Sequence, residues 1–146
     1  MPIISEYMLQ NHRDCDELFV QVEASAGNGD WDAAARHFAD FNELVERHLS
    51  MEEEVLFPAF EAETGNTEGP TVVMRMEHEQ MRGLLKVLEG CLDSQDQEQF
   101  LGLTETLMML TQQHNMKEEQ MLYPMADRAL SDSASVVAEM QAAGKT

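Results

Sequence analysis

Two stretches decide the fold of this chain: HLSMEEEVLFPAF at residues 48–60 and HNMKEEQMLYPMADRAL at residues 114–130. Each begins with a histidine, carries a glutamate four residues later, and continues into a hydrophobic segment that contains a proline. Residues four apart lie one turn apart on an α-helix, so the imidazole and the carboxylate project from the same face. We therefore predict two helices, each with a pair of polar groups on an otherwise apolar face.

Both stretches belong to a longer internal repeat with an offset of 66 residues. The matching pairs are His12 and His78, His48 and His114, Glu52 and Glu118, Phe57 and Tyr123, and Pro58 and Pro124. In each half the two histidines are 36 residues apart. Because repeated units share structural roles, the repeat predicts two copies of one helical hairpin.

Apolar residues recur every three or four positions along four segments, which is typical of amphipathic helices. The predicted inward faces are Ile4, Met8, His12, Cys15, Phe19 and Val22; Trp31, Ala35, Phe38, Phe41, Val45, His48, Glu52, Val55 and Ala59; Met74, His78, Met81, Leu85, Leu88 and Leu92; and Phe100, Leu103, Leu107, Leu110, His114, Glu118, Met121 and Met125. No segment alternates apolar and polar residues as a strand does. The predicted class is all-α, an up-down-up-down antiparallel four-helix bundle built from two repeated helix hairpins.

Several residues mark the expected helix boundaries. Asp30 is a predicted N-cap of the second helix, and Ser94 with Gln97 resembles a capping box that opens the fourth. Pro58 and Pro124 are each expected to kink or end a helix, since proline removes a backbone hydrogen bond.

Length and composition fit one domain. The chain has 146 residues, 43% hydrophobic and 25% charged, close to an ordinary globular protein. We expect the bundle to occupy residues 1–131 and a C-terminal tail with at most one short helix to occupy residues 132–146.

Charge and hydropathy exclude several classes of partner. The formal net charge of −19 repels phosphate backbones and anionic lipids, so neither nucleic acid nor a membrane is an expected partner. No apolar run approaches the roughly 20 residues of a membrane span, and the chain start does not resemble a secretory signal. With two cysteines, too few for a disulfide scaffold, a cytoplasmic location is expected.

One histidine on each of four inward faces predicts a shared site in the core. The expected set is His12, His48, Glu52, His78, His114 and Glu118. Burying these groups without a cation would cost several kcal/mol per ion, so we predict a metal pair bridged by the carboxylates. A polar core satisfied by internal hydrogen bonds is the alternative. Imidazole and carboxylate without thiolate favour iron or manganese and leave zinc open.

With these residues the chain resembles the hemerythrin-like family, also called the HHE cation-binding domain. The resemblance spans about residues 4–131 and includes MRMEHEQMR at residues 74–82. It implies an up-down four-helix bundle holding two Fe ions, oxo- or hydroxo-bridged and non-haem, with Mn or Zn less favoured. It implies that His12, His48, His78 and His114 are terminal ligands and that Glu52 and Glu118 are bridging carboxylates.

This chain departs from the oxygen-carrying members at two positions. Those members have a further histidine where this chain has Met74, and an aspartate five residues after the last histidine, where this chain has Glu119. Water, Glu77 or no ligand would then occupy the position of the absent histidine. The pattern is closer to bacterial and regulatory relatives, which counts against reversible oxygen storage.

Other chemically active residues have predicted roles outside the ligand set. His37 is expected at the end of the bundle, with an access or proton-relay role as the alternative. Glu53 and Glu119 are expected to be solvated, and Cys15 to be an inert buried thiol. The Tyr123 hydroxyl either reaches the metal pocket or surfaces at the bundle end.

The leading functional hypothesis is a cytoplasmic di-iron protein whose open coordination positions bind a small diatomic or peroxide ligand, as a module that responds to oxygen, nitric oxide or iron. One alternative is an oxidoreductase that consumes peroxide or nitric oxide. Another is iron handling, either ferroxidase-like uptake or iron donation in iron-sulfur cluster repair. Whether the chain is an enzyme stays open, and no protein partner is indicated.

Overall fold

Every regular element of the computed structural model, which describes residues 3–143, is helical. The α-helices are α1 (Ile3–Gly27), α2 (Trp31–Met51), α3 (Phe57–Thr64), α4 (Pro70–Ser94), α5 (Gln97–Lys117), α6 (Tyr123–Ala129) and α7 (Ser133–Ala143). Two π-helices, here π1 (Glu52–Leu56) and π2 (Glu118–Leu122), join α2 to α3 and α5 to α6. The predicted all-α class is confirmed, while residues 1–2 of the predicted bundle and 144–146 of the predicted tail lie outside the described residues.

The helices pack as two hairpins that lie side by side. Helix α1 lies along α2, and α4 lies along α5. The Asp127 carboxylate accepts hydrogen bonds from the backbone N–H groups of Ile4 at 2.8 Å and Ser5 at 3.1 Å, so the start of α1 contacts α6. The side chain of Gln97 donates to the carbonyl of Ala26 at 2.9 Å. Helix α1 therefore runs opposite to α5 and α6.

Within residues 3–143, no helix combines the length and the apolar character that a membrane span requires.

Two predicted helix caps have different outcomes. Asp30 caps α2 as predicted, since its carboxylate accepts from the N–H of Ala33 at 3.2 Å. The predicted cap at Ser94 is wrong. Gln95 adopts a left-handed conformation with φ 55° that ends α4, and the next residue, Asp96, caps α5 instead.

The two π-helices begin at equivalent positions of the repeat, at the glutamate of each H-x-x-x-E motif. The N–H of Phe57 donates to the carbonyl of Glu52, and the N–H of Tyr123 to that of Glu118, each five residues back. Such a wider turn brings residues five apart onto one face, and single π-turns occur frequently at functional sites. Phe57 and Tyr123 are consequently both buried.

Each π-turn contains about one more residue than an α-turn. It therefore changes which residues of the following helix face inward. Met121, predicted to point inward, is 60% exposed, whereas Leu122 is buried. The prediction was wrong because it assumed an uninterrupted period of 3.6 residues through the π-turn. Ala35, also predicted inward, is exposed because Ala34 fills that turn of the core.

Neither of the two late prolines ends its helix. Pro58 and Pro124 lie in the first turns of α3 and α6, where a missing backbone N–H is tolerated. The winding changes from π to α before each proline, and the helices continue to Thr64 and Ala129.

Apolar side chains form two separate clusters along the bundle. One includes Phe19, Phe41, Leu49, Leu85 and Leu107, and the other includes Met8, Leu56, Met74, Leu122 and Met140. On each long helix the predicted site histidine lies between residues of the two clusters. A buried polar layer therefore separates two apolar halves of the core.

Helix α7 contributes to the second apolar cluster. Val137 and Met140 are buried against it together with Ile4 and Met8. The segment predicted to be a tail with at most one short helix thus closes one end of the core.

This packing predicts a specific loss of stability. Met140 is fully buried, and we expect Met140→Ala to lower the free energy of unfolding by about 2–5 kcal/mol, because the substitution leaves a cavity. Met109 is 63% exposed, so Met109→Ala is the matched control and should change stability little. Urea unfolding measures both, and equal small effects would contradict the contribution of α7.

Candidate metal centre

The structure brings all six residues predicted for the site into one buried layer. Each is at most 5% exposed, and they are His12, His48, Glu52, His78, His114 and Glu118. Nε2 of His12, in the first hairpin, lies 3.2 Å from Oε1 of Glu118, in the second. Both hairpins of the repeat therefore contribute to one cluster, as the repeat predicts.

Each carboxylate faces histidines of both hairpins. An oxygen of Glu52, Oε1, lies 3.3 Å from Nε2 of His48 and 3.3 Å from Nε2 of His78. Glu118 lies between the other pair, with its oxygens 3.2 Å from Nε2 of His12 and 3.2 Å from Nε2 of His114. Each carboxylate therefore lies within reach of one histidine from each hairpin.

The inward-facing atoms are short of hydrogen-bond partners. Within the described residues, four buried atoms have none: Oε1 of Glu52, Nε2 of His78, Nε2 of His114 and Oε2 of Glu118. Buried polar atoms in native structures are normally paired, and an exception requires an explanation. Imidazole nitrogens and carboxylate oxygens are ligands for divalent and trivalent metals. These residues therefore fit a metal cation, and two groups of three or four donors lie close enough together to hold one.

The outward-facing Nδ1 atoms all have acceptors. The pairs are His12 with Glu119 at 2.5 Å, His78 with Glu53 at 2.7 Å, His114 with Glu77 at 2.8 Å, and His48 with the Asn11 amide oxygen at 3.5 Å. An acceptor at Nδ1 holds the proton there and directs the lone pair of Nε2 toward the centre. This is how histidines that ligate metals are usually oriented.

Two glutamates therefore act differently from the prediction, and the structure shows the contacts of a third whose role the sequence left open. Glu53 and Glu119 were expected to be solvated, but both are only partly exposed and accept hydrogen bonds from histidines. Glu77, considered as a seventh ligand, instead contacts Nδ1 of His114 and the ammonium of Lys117. Glu53 and Glu119 occupy equivalent positions of the repeat. The repeat therefore indicated that these two glutamates share a role.

Arg82 holds one of these acceptors in place. Its guanidinium donates to both carboxylate oxygens of Glu53, at 2.8 and 2.9 Å, and also to Glu46. Burial alone would raise the pKa of Glu53, but Arg82 and His78 lower it below its ordinary value. Glu53 is therefore an ionised acceptor for His78.

The hydroxyl of Tyr123 reaches the centre of the cluster, which decides between the two predicted positions for it. The hydroxyl oxygen lies 2.8 Å from Oε2 of Glu52, 2.9 Å from Oε1 of Glu118 and 3.2 Å from Nε2 of His12. At the equivalent position of the other hairpin, Phe57 stacks on His78 with ring centroids 5.5 Å apart.

Three other residues singled out in the sequence lie outside the cluster. His37 is half-buried and belongs to neither donor group of the described residues. Met74, at the position of the absent histidine, is buried in the second apolar cluster. Burial raises the pKa of the Cys15 thiol to about 12, so this cysteine is protonated near neutral pH.

A cavity of about 240 Å³ adjoins the site. His12, His48 and His114 form one wall, and apolar side chains including Phe41 and Val45 form much of the rest. One side of the histidine cluster therefore faces a space large enough for a small molecule.

Comparison with known proteins identifies the family. The family described as the hemerythrin HHE cation binding domain matches residues 3–126. This chain belongs to the hemerythrin HHE family. The resemblance inferred from the sequence is thereby confirmed, and the buried His/Glu cluster is compatible with the cation binding for which the domain is named.

One curated relative of this hemerythrin-like chain is an uncharacterized hemerythrin-like protein of Schizosaccharomyces pombe. The two are 28% identical over 138 residues, which cover 93% of this chain and 65% of the relative. The chain thus spans a little less than two thirds of that relative's length. No solved structure matches the chain.

Electrostatics of the hemerythrin-like cluster favour imidazolium and carboxylate pairs when no cation is bound. Burial alone would lower the pKa of His114, but Glu118, Glu52 and Glu77 raise it to about 9. Burial alone would raise the pKa of Glu52, but His48 and His78 hold it well below its usual range. A cation at the centre would therefore have to displace protons from the histidines.

The raised pKa values predict how the stability of the metal-free protein depends on pH. Because His114 binds its proton more tightly when folded, its contribution is fully present below the ordinary value of 6.5 and is lost as the pH rises to about 9. Each pKa unit corresponds to about 1.4 kcal/mol. We expect thermal unfolding to show a melting temperature that falls across this window without metal, and a smaller fall with metal. A metal-free stability that rises across the window would contradict the electrostatic assignment.

Two adjacent glutamates allow a matched test of the hydrogen bond to His78. We expect Glu53→Gln to weaken metal binding about 10–100-fold, the usual effect of changing a hydrogen-bond partner of a ligating histidine. Glu54 is exposed, so Glu54→Gln should leave the affinity unchanged. Competition with a chelator of known affinity measures both variants, and equal affinities would refute a role for Glu53.

Proposed function

We propose that this chain holds two iron ions among the six buried side chains and binds a small diatomic or peroxide ligand on the side that faces the cavity. The observation that carries the proposal is the contact between three histidines of the cluster and the cavity of about 240 Å³. A metal site that is sealed on all sides would have no room for an external ligand.

The proposal includes the arrangement of the bundle. Two hairpins, α1–α3 and α4–α6, would pack as an up-down-up-down antiparallel four-helix bundle over residues 1–131, with residues 132–146 appended. Each hairpin would supply two histidines as terminal ligands and one glutamate as a bridge. The opposite directions of α1 and α5 support this arrangement.

Iron is the proposed metal because the cluster offers imidazole and carboxylate but no thiolate, which suits iron better than a structural zinc site. Manganese and zinc are less favoured. Six residues shared between two octahedral ions leave positions without a protein ligand. When bound, the iron pair supplies a redox-active centre at which a small molecule can coordinate at these positions.

The protein's own residues would orient the donors and control access. The acceptors at Nδ1 hold the four imidazoles with Nε2 toward the centre. The apolar cavity wall, with Phe19, Phe41 and Leu49, would limit water and admit small neutral molecules. Asp16 and Gln112 add polar groups to the same lining. One water takes about 30 Å³ of liquid volume, so the cavity has room for a diatomic molecule or peroxide.

A cytoplasmic location is part of the proposal. Cys15 and Cys91 are free cysteines, which suits a compartment that keeps thiols reduced. The acidic surface, with a net charge of −19, makes nucleic acid and anionic membranes unfavourable partners.

Metal content and spectra test the proposal. We expect about two irons per chain, and an absorption spectrum that shifts when nitric oxide, oxygen or azide is added. His48→Ala should lose most of the iron, because the variant lacks a terminal ligand. His37→Ala is the matched control, since His37 lies outside the cluster, and it should retain both irons. If the protein binds iron but its absorption spectrum does not change with any of the three ligands, the proposed ligand binding is wrong.

The same preparation separates the alternative functions. Many turnovers of peroxide or nitric oxide per site would identify an oxidoreductase. Rapid transfer of iron to an apo-cluster acceptor would identify an iron donor. Reversible spectral shifts without turnover or transfer are the result expected for a binding or sensing module.

A further inference from the structure

The two hairpins place equivalent histidines, glutamates and aromatic rings at the metal centre, but only one of the two aromatic rings carries a hydroxyl. The aromatic residue after each π-helix lies over a histidine of the other hairpin: Phe57 over His78, and Tyr123 over His12. The ring centroids are 5.5 and 5.7 Å apart in the two pairs. Only Tyr123 carries a hydroxyl, so the two metal positions have different surroundings.

That hydroxyl has the spacing of a ligand atom. Donors about 2.1 Å from an octahedral ion are about 3.0 Å from their nearest neighbours. The Tyr123 oxygen, Oε1 of Glu118 and Nε2 of His12 form a triangle with sides of 2.9, 3.2 and 3.2 Å. These three atoms therefore have the dimensions of one face of a coordination octahedron. Nε2 of His48 adds a fourth donor, 3.2 Å from Nε2 of His12.

Hydrogen bonding alone does not account for this crowding. A phenol has one proton, but the Tyr123 oxygen lies within 3.2 Å of two carboxylate oxygens and one imidazole nitrogen. When His12 is neutral and donates its Nδ1 proton to Glu119, the lone pair of Nε2 is directed at the same space. One proton can be donated to only one acceptor at full strength, and a cation would attract all of these atoms together.

We propose that the Tyr123 oxygen is a direct ligand of the metal ion held by His12, His48 and Glu118. The inference rests on the proposed function, because it requires iron at the centre. On binding to ferric iron the O–H bond of the phenol breaks, the proton leaves to solvent, and the oxygen electron pair bonds to the ion. The ion held by His78 and His114 has no such ligand, since Phe57 offers none.

Spectroscopy of the iron-loaded full-length chain tests this ligand directly. The chain is loaded with ferrous iron without oxygen and then oxidised in air. Phenolate bound to ferric iron produces a visible charge-transfer band and resonance-enhanced ring vibrations in the Raman spectrum. We expect both in the wild-type chain, and we expect Tyr123→Phe to lose both while it retains about two irons.

The chain provides a matched control and a transfer variant. Tyr7 is the other of the two tyrosines, and its hydroxyl contacts Sδ of Met51, so Tyr7→Phe should retain the band and the vibrations. In the double variant Phe57→Tyr with Tyr123→Phe, the hydroxyl moves to the equivalent position beside His78. Return of the band in that variant would support the assignment independently of any loss of stability in the single variant.

The negative outcomes are distinguishable. Wild-type protein that holds two ferric ions but shows no tyrosine-dependent Raman vibrations would overturn the Tyr123 ligand and leave the proposed function intact. Protein that binds no iron would overturn both proposals. The Raman result is obtained on the wild-type chain, so it holds even if Tyr123→Phe fails to fold.

Discussion

Repulsion among electron-rich atoms in a buried layer is the constraint on which the rest of this structure depends. Four imidazoles, two carboxylates and one phenol face a common centre, and four of their atoms have no hydrogen-bond partner in the described part of the chain. Such a layer costs several kcal/mol per charged group unless cations or protons neutralise it. The helices around it hold these groups in place, and the positive charge has to come from bound cations or from protons on the histidines.

The repeat builds this layer from two similar hairpins, each of which supplies part of its polar groups. Each hairpin places a histidine and a glutamate one turn apart, and each glutamate contacts histidines of both hairpins. Each hairpin also winds into a π-helix at its glutamate, which turns the aromatic residue five positions later toward the centre. The apolar clusters lie on either side of this layer, and helix α7 contributes to one of them. Differences between the hairpins, such as Tyr123 against Phe57, would make the two proposed metal positions chemically distinct.

Hydrophobic periodicity and the repeat were sufficient to predict the helical class and the convergence of the six polar residues, and the family was predicted from the resemblance of the histidine and glutamate motifs. Histidines on the inward faces of four amphipathic helices have to meet when those faces pack together. Their role as ligands stays a prediction. The orientation of Glu53, Glu77 and Glu119 could not be predicted from the period, because their positions on ideal helices point to the side of the core.

Local departures from ideal helical winding explain the other errors. Met121 points outward because π2 adds a residue to the turn, and the sequence pattern alone does not distinguish a π-turn from continued α-helix. Ser94 is not a cap because the next residue, Gln95, adopts a left-handed conformation that ends α4. Glycine is the residue that usually adopts this conformation, so the sequence did not indicate it.

Diffraction from iron-loaded crystals, recorded on both sides of the iron absorption edge, tests the central claim most directly. The account predicts two anomalous peaks within the six-residue layer, each about 2.0–2.1 Å from two histidine Nε2 atoms, as for zinc–imidazole bonds. A layer without such peaks, in which protonated histidines donate directly to Glu52 and Glu118, would contradict it.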